Sequence, residues 1–195
     1  KAQIKKQWLT ERETSLNENM QVGILGVGFL GMLVGKYLKN LGYKIVGFKS
    51  SRLQIKKPFP IYTKDNLNEF IEGSDIIVNI LPSTKKTYDF INSEFLKKMK
   101  KKSLLINVGR GSTINEKHLI QHLKSNKDFF ASLDVFKKEP LDKSNLLWKI
   151  PNLTITPHIA SLTVIGSAVR LMYKQYREFK KKGKIRSDVN LKKGY

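Results

Sequence analysis

Short apolar runs alternate along the chain with amphipathic stretches, separated by polar or glycine-bearing turns. Gln21–Leu25 reads as a buried strand. Phe29–Leu41 has helical spacing (Leu30, Leu33, Val34, Tyr37, Leu38, Leu41) that stops at Gly42. Lys44–Phe48 predicts a second strand, and Asp65–Glu72 a short helix capped by Asp65. Asp75–Leu81 is a third strand, ended by Pro82. Ser93–Met99 is a turn or two of helix, and Leu104–Val108 a fourth strand. Asn115 is expected to cap a helix to about Ser125; Phe129–Val135 and Leu153–Thr156 follow as strands, the latter stopped by Pro157. Ser161 is expected to cap a long final helix from about Leu162 to Lys182. Strands alternating with helices at this spacing imply right-handed crossovers and a doubly wound parallel sheet, a three-layer α/β/α architecture.

The first strand and first helix are joined by Gly26-Val27-Gly28-Phe29-Leu30-Gly31, a G-x-G-x-x-G in the context that gives it meaning. Gly26 suits the tight turn, Gly28 lets a pyrophosphate approach the backbone, and Gly31 lets helix pack close to strand. Phe29 and Leu30 open the helix, whose unpaired N–H groups face the phosphates. This is the signature of a Rossmann dinucleotide site. A triphosphate loop is excluded, because Gly31-Met32-Leu33-Val34-Gly35-Lys36-Tyr37 is one residue short and lacks the Ser/Thr that holds magnesium.

The end of the second strand bears on which dinucleotide. An NAD site usually places a carboxylate there for the ribose hydroxyls. This chain has Lys49, Ser50, Ser51 and Arg52 instead, suited to charge-assisted hydrogen bonds with a 2′-phosphate. NADP(H) is therefore the favoured cofactor, with NAD(H) as the alternative.

Three later segments each follow a predicted strand: Asn107-Val108-Gly109-Arg110-Gly111, Leu133-Asp134-Val135-Phe136-Lys137-Lys138-Glu139-Pro140, and Thr156-Pro157-His158-Ile159-Ala160-Ser161. In an open parallel sheet such positions border the ligand crevice, so Arg110, Glu139 and His158 are expected to converge there. The set suits reduction of a 2-keto acid. Arg110 pairs with the substrate carboxylate, His158 protonates the oxygen that receives charge as hydride arrives, and Glu139 favours the imidazolium. His118 and His122, four apart on a helix, lack the intervening Glu of a metalloprotease motif and read as helix surface; no metal site is expected.

Composition narrows the class further. The 37 Lys+Arg against 16 Asp+Glu give +21. The excess is mostly lysine in scattered short runs such as Lys100-Lys101-Lys102, so it reads as a solvated surface rather than a nucleic-acid face. Cysteine is absent, which excludes disulfides, thiolate metal sites and cysteine nucleophiles. No apolar run is long enough to span a bilayer, and the polar start is no signal peptide, so the cytoplasm is the expected compartment.

In this order, the motifs GVGFLG, NVGRG, LDVFKKEPL and TPHIAS resemble the D-isomer-specific 2-hydroxyacid dehydrogenases. Ser50-Ser51-Arg52, Ile80-Leu81-Pro82 and the Gly194-Tyr195 terminus are most similar to the glyoxylate/hydroxypyruvate reductase A branch. The resemblance implies Arg110 as the substrate-binding Arg, Glu139 as partner of the acid and His158 as the acid/base. It places Leu81, Pro82, Val108, Gly109 and Asp134 against the cofactor, with Asp134 at the nicotinamide carboxamide. It also implies a homodimer through this domain and a small 2-keto or 2-hydroxy acid as substrate. Residues 1–20 read as a linker remnant of a largely absent substrate domain, 21–160 as the cofactor domain, and 161–195 as a return helix and tail. A dinucleotide-sensing binding protein of the C-terminal-binding-protein corepressor type is the other reading, disfavoured by Lys49 and Arg52 because that branch prefers NAD.

Overall fold

The computed structural model describes residues 6–8, 16–50 and 58–183. Ser51, Arg52, Ile185–Tyr195 and most of Lys1–Met20 lie outside them. Seven parallel strands form one sheet in the order β3-β2-β1-β4-β5-β6-β7. In chain order the elements are β1 (Gln21–Leu25), α1 (Phe29–Asn40), β2 (Lys44–Phe48), β3 (Ile61–Tyr62), α2 (Leu67–Gly73), β4 (Ile76–Asn79), α3 (Ser93–Lys98), β5 (Leu104–Asn107), α4 (Glu116–Ser125), β6 (Phe130–Leu133), β7 (Leu153–Ile155) and α5 (Ile165–Lys182). The chain runs outward from β1 to β3, then returns to lay β4 on the other side of β1. That reversal opens a crevice beyond the carboxyl ends of β1 and β4, the place where doubly wound sheets bind ligands.

The strands bury side chains on both faces, as parallel sheets require. One face carries Leu25, Phe48, Ile77, Leu105 and Leu133 under α2, α3 and α4, with Phe70 of α2 packed among them. The other carries Val22, Ile24, Ile45 and Val78 under Met32, Val34 and Leu38 of α1. Phe70 is fully buried; burial of such a side chain contributes about 1.5–3 kcal/mol.

The helix α1 sits lower on the sheet than its apolar stripe suggests. Gly31 and Gly35 are its buried residues, while Leu30, Leu33, Tyr37 and Leu41 face outward. Exposed lysines stand on helices of both sheet faces, among them Lys36 on α1, Lys97 on α3 and Lys117 on α4. The charge is thus distributed rather than gathered on one face.

Some boundaries differ from expectation for identifiable reasons. The two-residue β3 is too short to register as a pattern. Asp65 does not cap α2; a 3-10 turn at Lys64–Asn66 precedes the helix, and Asn66 donates to Glu69 rather than capping. The final helix begins at Ile165, not after Ser161. The N–H groups just upstream, on Ile159 and Ala160, are engaged by Asp134, so the chain leaves this turn before it coils. His118 and His122 are half-buried rather than free surface. The ring of His118 accepts from the Ser93 N–H (3.2 Å), tying α4 to α3, and His122 stands edge-on to Phe129 at 4.6 Å. Burial lowers the basicity of His122. No cluster suited to a metal ion occurs among the described residues, and no described helix is long and apolar enough to cross a membrane.

Candidate active site

Phe48, Leu25, Asn79, Asn107, Leu133 and Ile155 are register partners across six strands, so the loops that follow them leave the sheet at one level. Those loops carry the described residues that the sequence nominates: Lys49 and Ser50, Gly26 to Gly31, Leu81 and Pro82, Val108 to Arg110, Asp134 and Glu139, and His158.

The glycine loop is built from two constraints and one vacancy. Gly26 has φ +109°, a conformation L side chains avoid, and its N–H and that of Val27 both donate to the Phe48 carbonyl. A Cβ at Gly31 would run into the carbonyl oxygen of Gly26. Gly28 is different. It has φ −98°, open to any residue, and nothing lies within 4 Å of where its Cβ would be. The protein's own packing gives no reason for glycine there, whereas a phosphate seated on the first turn of α1 does. This is a cradle fitted to a dinucleotide.

At the other end of the crevice, His158 Nδ1 lies 2.7 Å from Glu139 Oε2, and the second oxygen of Glu139 accepts from the Phe136 N–H at 2.7 Å. Burial works against the charge on Glu139, but the His158 hydrogen bond, the Phe136 N–H and the His158 charge outweigh it. The carboxyl is held below its usual range, even with Asp134 opposing. His158 has φ +53°, an unusual value outside glycine that costs on the order of 1–3 kcal/mol. Asp134 holds it there. Its carbonyl accepts from the His158 N–H at 2.8 Å, and its carboxylate accepts from Thr156 Oγ1 (2.5 Å), Ile159 N–H (2.9 Å) and Ala160 N–H (3.0 Å). Burial raises the Asp134 pKa, yet those three donors and the His158 charge together bring it below the ordinary carboxylate value. Asp134 therefore acts here as the clamp of the His158 turn, with both carboxylate oxygens directed into the chain.

Arg110 shares the edge but touches neither Glu139 nor His158. Its exposed guanidinium donates to the Gly109 carbonyl at 2.7 Å and forms no ion pair among the described residues. The Arg110 loop nevertheless presses on the Glu139 loop, because a Cβ on Gly111 would overlap the Phe136 backbone. On the far side, Lys49 continues β2, its N–H bonded to Tyr62 O at 3.0 Å, beside the glycine loop; no carboxylate occupies that position.

Sequence reasoning missed Asn79, Thr113 and Thr156 and passed over Asn107. Asn79, Asn107 and Thr113 are fully buried and bonded to one another beneath Leu81, Gly109 and Arg110. Their signal was an amide inside the apolar run Asp75–Leu81.

The family model for the D-isomer-specific 2-hydroxyacid dehydrogenase NAD-binding domain matches residues 1–160. Among curated relatives, the chain is 33% identical over 174 residues to glyoxylate/hydroxypyruvate reductase A of Photorhabdus laumondii, a match covering 89% of this chain and 56% of that protein. The chain thus spans little more than half the length of such relatives. Two solved structures superimpose over the whole chain. The NADPH-dependent glyoxylate/hydroxypyruvate reductase of Sinorhizobium meliloti, in complex with NADP and sulfate, gives TM-score 0.91 at 27% identity over 62% of its length. The D-isomer-specific 2-hydroxyacid dehydrogenase of Xanthobacter autotrophicus, in complex with NADPH and MES, gives 0.90 at 30% identity over 80%. With a family model matched over most of its length and its fold shared with these structures, the chain belongs to the D-isomer-specific 2-hydroxyacid dehydrogenases, in the family of their NAD-binding domain.

Proposed function

We propose that this chain is the cofactor-binding part of an NADPH-dependent reductase that converts small 2-keto acids, glyoxylate and hydroxypyruvate among them, to D-2-hydroxy acids. The observation that carries the proposal is the 2.7 Å His158–Glu139 pair at the same sheet edge as a glycine loop left open at Gly28. A bound dihydronicotinamide supplies the hydride that reaches the keto carbon. The chain's own residues do the rest. His158, its Nδ1 engaged by Glu139, holds a proton on Nε2 and gives it to the keto oxygen, ending as neutral imidazole. Glu139 fixes the ring through Nδ1, leaving Nε2 as the nitrogen that serves the substrate. Arg110 holds the substrate carboxylate and orients the keto group toward the nicotinamide.

Lys49 and Ser50 support NADPH over NADH, since a carboxylate there would repel a 2′-phosphate. The two similar structures named above, in complex with NADPH and with NADP, support the same preference. Full turnover is assigned to the larger protein, because this chain spans only part of its relatives and closure over the substrate excludes water and aligns the reacting atoms. The exposed stripe of Leu30, Leu33, Tyr37 and Leu41 on α1 is consistent with a homodimer through this domain. Calorimetric titration tests the cofactor assignment. NADPH is expected to bind about tenfold or more tightly than NADH, the worth of a charge-assisted contact; Lys49→Asp should narrow or reverse the ratio. Equal or tighter NADH binding refutes the preference. Glyoxylate turnover by this chain alone at ordinary enzymatic rates, roughly 1–1000 per second, refutes the division of labour.

A further inference from the structure

Asn79 and Asn107 are register partners at the last positions of β4 and β5, where the neighbouring strands carry Leu25 and Leu133. Nothing in the sheet demands amides there, and full burial of unpaired polar groups is costly. Here every side-chain nitrogen and oxygen has a partner. One hydrogen of the Asn79 amide goes to Asn107 Oδ1 (2.9 Å) and the other to Thr113 Oγ1 (2.7 Å), while Asn79 Oδ1 accepts from the Leu81 N–H (3.1 Å). Asn107 Oδ1 also accepts from the Gly109 N–H (3.1 Å), and its amide donates to the Arg110 carbonyl (3.3 Å). The Thr113 hydroxyl, its lone pair taken by Asn79, passes its own proton to the same Arg110 carbonyl (2.6 Å). Each group has one role, so the amide orientations are set by the network itself.

We infer that Asn79, Asn107 and Thr113 are positioning residues that fix the gap between the Leu81–Pro82 and Val108–Arg110 loops before ligand arrives, and so set affinity for the nicotinamide end of the dinucleotide. The two loops are already in backbone contact: a Cβ on Gly109 would lie 2.8 Å from Leu81 O and 3.0 Å from Leu81 N. A slip in either loop therefore moves the other. On the adenosine side the network forms no hydrogen bond: Lys49 continues β2, and the glycine loop, which packs on the Leu81 backbone at Gly26, is itself pinned to β2 by the Phe48 carbonyl. The inference rests on the dinucleotide reading above and adds a division of the site: one half held by glycine geometry, the other by buried amides.

Titration of this chain with NADPH and with adenosine 2′,5′-bisphosphate, which carries only the adenosine half, separates the two. Thr113→Val keeps the shape but strips the Asn79 amide and the Arg110 carbonyl of a partner. NADPH affinity should fall roughly tenfold as the competent population drops, with bisphosphate affinity within about twofold of wild type. Thr113→Ser should restore NADPH binding. Unchanged NADPH affinity in Thr113→Val, or an equal loss for both ligands, overturns the inference. Hydrogen exchange of the unliganded wild type provides a test that needs no variant. The Leu81 and Gly109 amides should be protected like those of β4 and β5, and rapid exchange at both overturns the inference even if Thr113→Val fails to fold. Protected amides in a chain that binds neither ligand would instead refute the dinucleotide reading and leave the preformed gap standing.

Discussion

Gly28 and Gly31 belong to one motif, yet the structure gives them opposite reasons, and alanine at each separates folding from binding. At Gly31 a Cβ would meet the Gly26 carbonyl oxygen and lie 3.2 Å from the Gly26 carbonyl carbon, backbone that has no rotamer to escape into. Overpacking of that kind costs about 1–3 kcal/mol, a fall in Tm of roughly 2–12 °C for a chain of this size. At Gly28 the Cβ enters open space at φ −98°. Alanine at an N-cap is worse than glycine by roughly 0.5–1 kcal/mol, while it removes about 0.4–1 kcal/mol of unfolded-state freedom. The two cancel, and Tm should barely move. The new methyl instead stands where phosphate oxygens approach the first turn of α1. Loss of one charge-assisted hydrogen bond, ~1.5–3 kcal/mol, weakens binding roughly 10- to 150-fold. Thermal unfolding followed by circular dichroism and calorimetric NADPH titration on the same samples give both numbers. Should Gly28→Ala bind NADPH as tightly as wild type, or Gly31→Ala unfold no earlier, the assignment of the two glycines is wrong.

On the proposed reductase activity, His158→Ala should lower kcat by ~100–10,000-fold, the usual worth of general acid catalysis, while Arg110→Ala should also raise KM through loss of its hold on the ground-state carboxylate; steady-state kinetics on glyoxylate distinguish them. Glu139→Gln removes the charge bonded to His158 Nδ1, so kcat for glyoxylate reduction should fall with KM little changed, and an unchanged kcat dismisses Glu139 as the partner of His158. Asp134 titrates below its ordinary value in the folded chain, so its stabilisation is complete above the unfolded carboxylate pKa of about 3.9 and is lost as pH falls through the lower folded value. Asp134→Asn should therefore lower Tm at neutral pH and flatten its decline on the acid side, and parallel Tm–pH curves for the two proteins would contradict this.

How far the sequence could be read depended on whether a residue's reason is local. The strand–helix alternation was legible because each buried strand is a compact apolar run, and Asn115 does cap α4, its side chain accepting from the His118 N–H three residues on. Gly31 was legible for the same reason, since the Gly26 backbone it must clear lies within the motif, and Gly26 was legible from the tight turn it makes, although the backbone it clears, at Ile80 and Leu81, lies far along the chain. The clamp made by Asp134 was not legible, because its donors Thr156, Ile159 and Ala160 sit more than twenty residues ahead, beyond any local pattern. The same distance defeats the expectation at Ser161, a sound N-cap by type whose neighbourhood is fixed by the Asp134 clamp rather than by the helix that follows. The Asn79–Asn107–Thr113 network was least legible, because burial turns a surface-preferring residue type into a structural one only once β4 and β5 are known to be adjacent. Motifs in this chain thus mark where chemistry happens, while the groups that hold those motifs still are polar residues in apolar strands, and they become visible only through register.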